Sequence, residues 1–139
     1  MPTHSAHVRL STSGDGDVID LTGEVARVVA EAGAVTAGIA SVFVPGATAA
    51  VTTMEHEAGN VADLGALLDR LVPPAGSYEH NRLNHDSNAH AHIRAALVGP
   101  SETIPVEAGR LLLGTWQQIV LIDFDDRPRE RTVLVSVVC

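Results

Sequence analysis

The chain has 139 residues, 45 % hydrophobic and only 3 % aromatic, with a net charge of −8. That size and apolar content exclude a disordered chain and fit one domain, residues 1–139, with a core of aliphatic side chains. All basic residues are Arg, so lysine Schiff-base chemistry is excluded, and no basic stripe or set of stacking aromatics supports nucleic-acid binding.

Taken in chain order, residues 5–12 alternate loosely and read as a strand, followed by a Gly/Asp turn at Ser13–Asp17 and a short strand at Val18–Leu21. Thr22 is placed to cap a helix over Gly23–Ala32, which Gly33 stops. Ala37–Val44 and Thr48–Glu55 are β-rich segments separated by Pro45–Gly46. Val61, Leu64, Leu67, Leu68 and Leu71 share one face of a helix that Pro73 and Pro74 end. Ala75–Ser87 reads as a polar loop, and Ala89–Val98 as a short helix stopped at Gly99–Pro100.

The last third reads as strands at Glu102–Val106, Arg110–Leu113, Gln118–Phe124 and Thr132–Val138, with a turn at Asp125–Arg129. The run Ile119–Ile122 predicts burial on both faces. Seven to eight strands with about three helices, not regularly alternating, give an α+β fold with a mainly antiparallel, sandwich-like sheet.

The single Cys139 allows no internal disulfide and no Cys-rich zinc site. No apolar run approaches the roughly 20 residues of a membrane span. The opening MPTHSAHVRL is too polar for a secretory signal. A cytoplasmic protein without a membrane partner is expected.

Four of the seven histidines fall in HNRLNHDSNAHAHIRA: His80, His85, His90 and His92. Imidazoles with carboxylates and amides nearby suit a metal or catalytic site, and Asp86 and Asn88 are placed to orient rings. A solvated loop with idle histidines fits the same spacing equally well, and His80 is the most dispensable of the four. On a regular helix His90 and His92 stand about 200° apart and cannot face one ion together.

Glu55 is a candidate base or ligand at a strand end, with His56 facing away from it. VPGATAA is a candidate anion-binding turn through Gly46 and Thr48. Arg94 and Arg110 suit phosphate or carboxylate, and the lone Trp116 suits a pocket, a core plug or an interface.

Longer motifs carry a resemblance. GTWQQIVLIDFD with RPRER, preceded by HAHIRAALVGPSETIPVEAGRL, resembles the YjbQ-like family, whose members are often labelled secondary thiamine-phosphate synthases. The similarity runs from about Val42 to Val138. It implies a sandwich-like α+β fold, a homotrimer and a site built around the histidine run. On the matched motifs His85, His90 and His92 fall on family histidines and Glu55 on the strand-end acid. Arg110, Thr115 and Gln117 lie in the matched GRL and GTWQ segments. The chain departs from many members in carrying Gly46 where they have a His.

Thiamine-phosphate synthesis joins a pyrimidine-methyl pyrophosphate to a thiazole phosphate, and pyrophosphate leaves a carbon that gains cationic character. Arg94 and Arg110 are the expected phosphate grips, and His85, His90 and His92 the expected ligands of a divalent metal, zinc-class sooner than Mg²⁺. Three readings stay open: that transferase acting on a small phosphorylated substrate, a metal-dependent hydrolase or lyase with Glu55 as base, and a non-catalytic metal-binding trimer.

Overall fold

The computed structural model describes residues 3–139. Two antiparallel sheets form a sandwich. The larger has five strands in the order β1 (Thr3–Thr12), β8 (Arg129–Val138), β3 (Ala37–Phe43), β5 (Ser101–Glu107) and β6 (Arg110–Leu111). The smaller has three, in the order β2 (Asp17–Asp20), β7 (Gln118–Asp123) and β4 (Ala49–Met54). The chain termini pair with each other, Thr3 opposite Val138 through to Thr12 opposite Arg129.

The core lies between the sheets, where Val133, Val135 and Val137 of β8 meet Ile119 and Leu121 of β7 and Val51 of β4. Three strands cannot cover five, and helix α1 (Thr22–Glu31) makes up the width. It buries Val25, Val28 and Val29 in the same cluster. The outer face of the small sheet is covered as well. Ala50, Val120 and Ile122 pack under α2 (Ala58–Leu71) and α4 (Ala89–Val98) through Leu68, Ala91 and Ala95. β7 is thus buried on both faces, as its apolar run predicts, and helices rather than another subunit cover its second face.

The helices depart from expectation in three places. Thr22 does not cap α1: it is the first helical residue, and its hydroxyl accepts the Ile119 N–H at 3.0 Å, which ties the helix to β7. α2 starts three residues earlier than its apolar stripe predicts. Glu57 accepts hydrogen bonds from the Gly59 and Asn60 N–H groups and acts as its N-cap. The segment expected to be loop contains a fourth helix, α3 (Glu79–Asn84). Its six residues bury no side chain, so no apolar period announced it.

Among the described residues no helix is long and apolar enough to cross a membrane.

Leu121 is fully enclosed between the sheets. Leu121→Ala is expected to lower the unfolding free energy by about 2–5 kcal/mol in chemical denaturation, through lost transfer energy and the cavity left behind.

Candidate functional site

The regular helix α4 decides where the histidines go. His90 and His92 leave it on opposite sides, as a period of about 3.6 residues requires. His90 is buried with Arg94 one turn on, at 5 % and 6 % exposure. His92 lies on the other side, half-buried, and with Ala95 and Ala96 lines a shallow cavity of about 280 Å³. The facing wall is Gly46, Ala47, Ala49 and Pro100.

α3 brings His80 onto His92, with ring centroids 4.6 Å apart. His80 is therefore the histidine that accompanies His92, although its spacing made it look the most dispensable. His85 ends α3 in the left-handed region, φ 51°, and is exposed. The expected ligand set His85, His90 and His92 is not brought together within one chain. Among the described residues no three His, Cys, Asp or Glu side chains are placed to hold one ion. The donor set does not fit a metal centre inside a single chain.

Beneath the Gly46 turn lies a polar plug that the sequence reading missed. Asp123 and Asp125 are fully buried. Asp123 accepts from Arg131 Nε at 2.7 Å and Nη2 at 2.9 Å, from the Thr12 hydroxyl at 2.6 Å and from the Asp125 N–H at 3.1 Å. Asp125 accepts from Arg129 Nε at 2.9 Å, the Thr48 hydroxyl at 3.1 Å and Asn88 Nδ2 at 3.4 Å. Arg131 Nη2 also donates to Thr48 at 2.7 Å. Its Nη1 lies beside Gly46, where a Cβ would stand 3.0 Å from it.

Burial works against ionisation of Asp123. The Arg131 guanidinium, the Thr12 hydroxyl and the Asp125 N–H nevertheless hold it below the usual carboxylate range. Asp125 is likewise lowered despite burial, by the Asp126 N–H, Arg129, Asn88 and Thr48.

A signal for this plug was present in the period of two. Asp123 and Asp125 continue the inward positions Ile119 and Leu121. Arg129 and Arg131 continue Val133, Val135 and Val137, and Thr12 continues Val8.

The remaining candidates stand elsewhere. Arg110, Thr115 and Gln117 line a groove of about 410 Å³ beside α1. Gln117 accepts from the Gly114 N–H and donates to the Thr53 hydroxyl at 3.1 Å. Glu55 is exposed at the same end of β4, its carbonyl accepting from Asn60 Nδ2. Ala49 faces His92 across the shallow cavity at the other end of β4. Four residues of strand, roughly 13 Å, therefore separate Thr53 from that cavity.

Arg94 is engaged with the end of α2. It donates to the Val72 carbonyl through Nε and Nη2 and pairs with Asp69 at 3.0 Å. Trp116 is 73 % exposed and plugs no core.

A buried Arg–Asp plug under a glycine turn, with paired imidazoles beside it, closes one end of an α+β sandwich. The chain belongs to the family described as UPF0047 protein YjbQ-like, which it matches over residues 6–139. It is 41 % identical over 127 residues to a UPF0047 protein of Archaeoglobus fulgidus, covering 91 % of this chain and 95 % of that one. It is 43 % identical over 134 residues to a UPF0047 protein of Mycobacterium tuberculosis, covering 89 % and 98 %. The fold is similar to a solved protein of unknown function from Sulfolobus solfataricus, with a TM-score of 0.91, 33 % identity and coverage of 98 % and 96 %. An uncharacterised family member from Clostridium acetobutylicum gives a TM-score of 0.86 at 39 % identity, covering 96 % and 99 %.

Two outcomes follow from the site's electrostatics. Burial and then the Arg94 charge hold His90 below the ordinary imidazole range, against the opposing pull of Asp126, Asp15 and Asp125. The unfolded chain takes up this proton where the folded chain does not, so stability rises with pH up to about 6.5. Urea denaturation should show stability falling as pH drops from about 6.5, with a shallower slope in His90→Leu. Asp123→Asn removes the main counter-charge of the nearly buried Arg131 and leaves only Asp125 at 3.9 Å, and is expected to cost about 3 kcal/mol in the same assay at neutral pH.

Proposed function

We propose that the cavity between His92 and the Gly46 turn binds the phosphate or pyrophosphate of a small substrate. The reaction we assign is the transfer attached to the family label, pyrimidine-methyl pyrophosphate with thiazole phosphate giving thiamine phosphate. The observation that carries the reading is Arg131. Its guanidinium is fixed by two bonds to Asp123 and one to Thr48, and Nη1 lies at the one turn position without a side chain. A rigid cation of this kind suits an anion that forms during reaction, because no reorganisation is needed when the charge appears.

The turn adds to it. Among the described residues Gly46 and Ala47 donate no backbone hydrogen bond, so their N–H groups are free to face an anion. In the transfer, the bond from the methylene carbon to pyrophosphate breaks and the thiazole nitrogen takes the carbon. Arg131 and the turn would neutralise the departing pyrophosphate. His92, backed by His80, would hold or give a proton at its oxygen, a task suited to imidazole at neutral pH. No step of this reading passes through a metal.

The groove of Arg110, Thr115 and Gln117 then belongs to the second substrate. It stands at the other end of β4, so we assign it to a neighbouring copy, as in the homotrimer the resemblance implies. The hydrolase reading finds less support, since Glu55 sits at the end of β4 away from the histidines and cannot serve as base to water held there within one chain.

Calorimetry with pyrophosphate tests the first part. His92→Ala and Gly46→Ala, the latter crowding Nη1, should each weaken binding about tenfold or more, and His92→Ala should lower thiamine-phosphate formation about a hundredfold. Unchanged affinity in both variants would place the anion elsewhere. Mixed oligomers of His92→Ala and Gln117→Ala chains should recover activity if the site is shared, and none if it is not.

A further inference from the structure

A second cavity lies on the opposite side of α4 from His92. α2, the outer face of β2 and β7, and the turn at Asp15 enclose about 240 Å³. One wall is apolar, with Val18, Leu64, Leu68, Ile122 and Phe124. Its polar lining is Arg94, Asp69 and Asp15.

Arg94 is 6 % exposed, and its Nε and Nη2 are held by the Val72 carbonyl and Asp69. Its Nη1 has no hydrogen-bond partner among the described residues, in a cavity that Arg94 itself lines. Asp69 stands on the rim, its side chain 64 % exposed. Arg94 Nη1 is not sealed off: it opens onto the cavity, where an acceptor can reach it.

Gly65 is the second observation. It lies inside α2 and lines the cavity. A Cβ there would meet nothing within 4 Å, and its backbone has no positive φ. Neither packing nor conformation asks for glycine, and glycine inside a helix is unfavourable. What it does is leave the cavity open.

We infer that this cavity binds a small zwitterion with an aliphatic side chain, an α-amino acid of leucine size. Its carboxylate would sit on Arg94, its ammonium against Asp69 and Asp15, and its side chain against the wall of Leu64, Leu68, Ile122 and Phe124. The charges select this class. A phosphate would meet two carboxylates beside the one guanidinium. An amine alone, or an apolar molecule, would offer the Arg94 guanidinium no anionic acceptor. A carboxylate suits the guanidinium fork, and the neighbouring acids suit the ammonium. Size agrees, since a cavity of roughly 150 Å³ already admits benzene.

Calorimetry of the full chain with L-leucine is the test, beside 4-methylpentanoate, which lacks the amine, and isopentylamine, which lacks the carboxylate. Saturable binding of leucine, at least tenfold tighter than either analogue, is expected. Gly65→Met should abolish it by filling the cavity while favouring the helix, and Asp69→Asn should weaken it about tenfold. Pyrophosphate binding by Gly65→Met should stay unchanged, which separates this site from the one beside His92. No leucine binding, equal binding of 4-methylpentanoate, or full binding by a folded Gly65→Met would each overturn the inference.

Discussion

The pairing of Asp123 with Arg131 is the constraint on which one end of this sandwich depends. Each residue stands where the alternation of its strand points inward, so Asp123 is cut off from bulk water and Arg131 is nearly so, at 10 % side-chain exposure. A carboxylate with 0 % side-chain exposure is tolerable only with its charge matched and its lone pairs used. Both conditions are met, by two guanidinium nitrogens, one hydroxyl and one backbone N–H. The aliphatic interior therefore stops at a plug of defined geometry. A hydrophobic pair of similar volume would give comparable stability, but it would not hold a cation under the Gly46 turn.

The plug also links parts of the chain that the topology would otherwise leave independent. Thr12 comes from β1, Thr48 from the β3–β4 turn, Asn88 from the start of α4, and Arg129 and Arg131 from β8. The segment after α3 is fastened to the same place, where the Ser87 hydroxyl donates to Asp126. The turn carrying Gly46 and the helix carrying His92 are thus referred to one rigid centre. A site built on such a centre needs little reorganisation to meet charge.

α4 divides the chemistry of the molecule between two sides. Toward the Gly46 turn it presents His92 with small alanines, leaving a shallow cavity against that turn. Toward α2 it presents His90 and Arg94, and Arg94 secures the carbonyl of Val72 at the end of that helix. Small residues keep both sides open: Gly46 leaves Nη1 of Arg131 uncovered, and Gly65 keeps space beside Leu64 and Leu68. The exposed Trp116 and the groove at Arg110 lie toward the far end of β4, away from the histidines.

Much of the fold was written in local pattern. The strands, α1, the body of α2 and the short α4 follow from periods of two and 3.6 and from Pro and Gly stops. The two-sided burial of β7 follows from its unbroken apolar run. The divergence of His90 and His92 was also legible in the sequence, since residues two positions apart on a regular helix point to nearly opposite sides. Other features needed long-range contacts. α3 has no buried face to mark it, and its helical turn is what sets His80 against His92. Thr22 looked like a cap until β7 supplied a competing N–H. The acids and arginines near the ends of β7 and β8 looked like an ordinary charged turn. Only the closing of two sheets over them removes the water, and with it every alternative to pairing with each other.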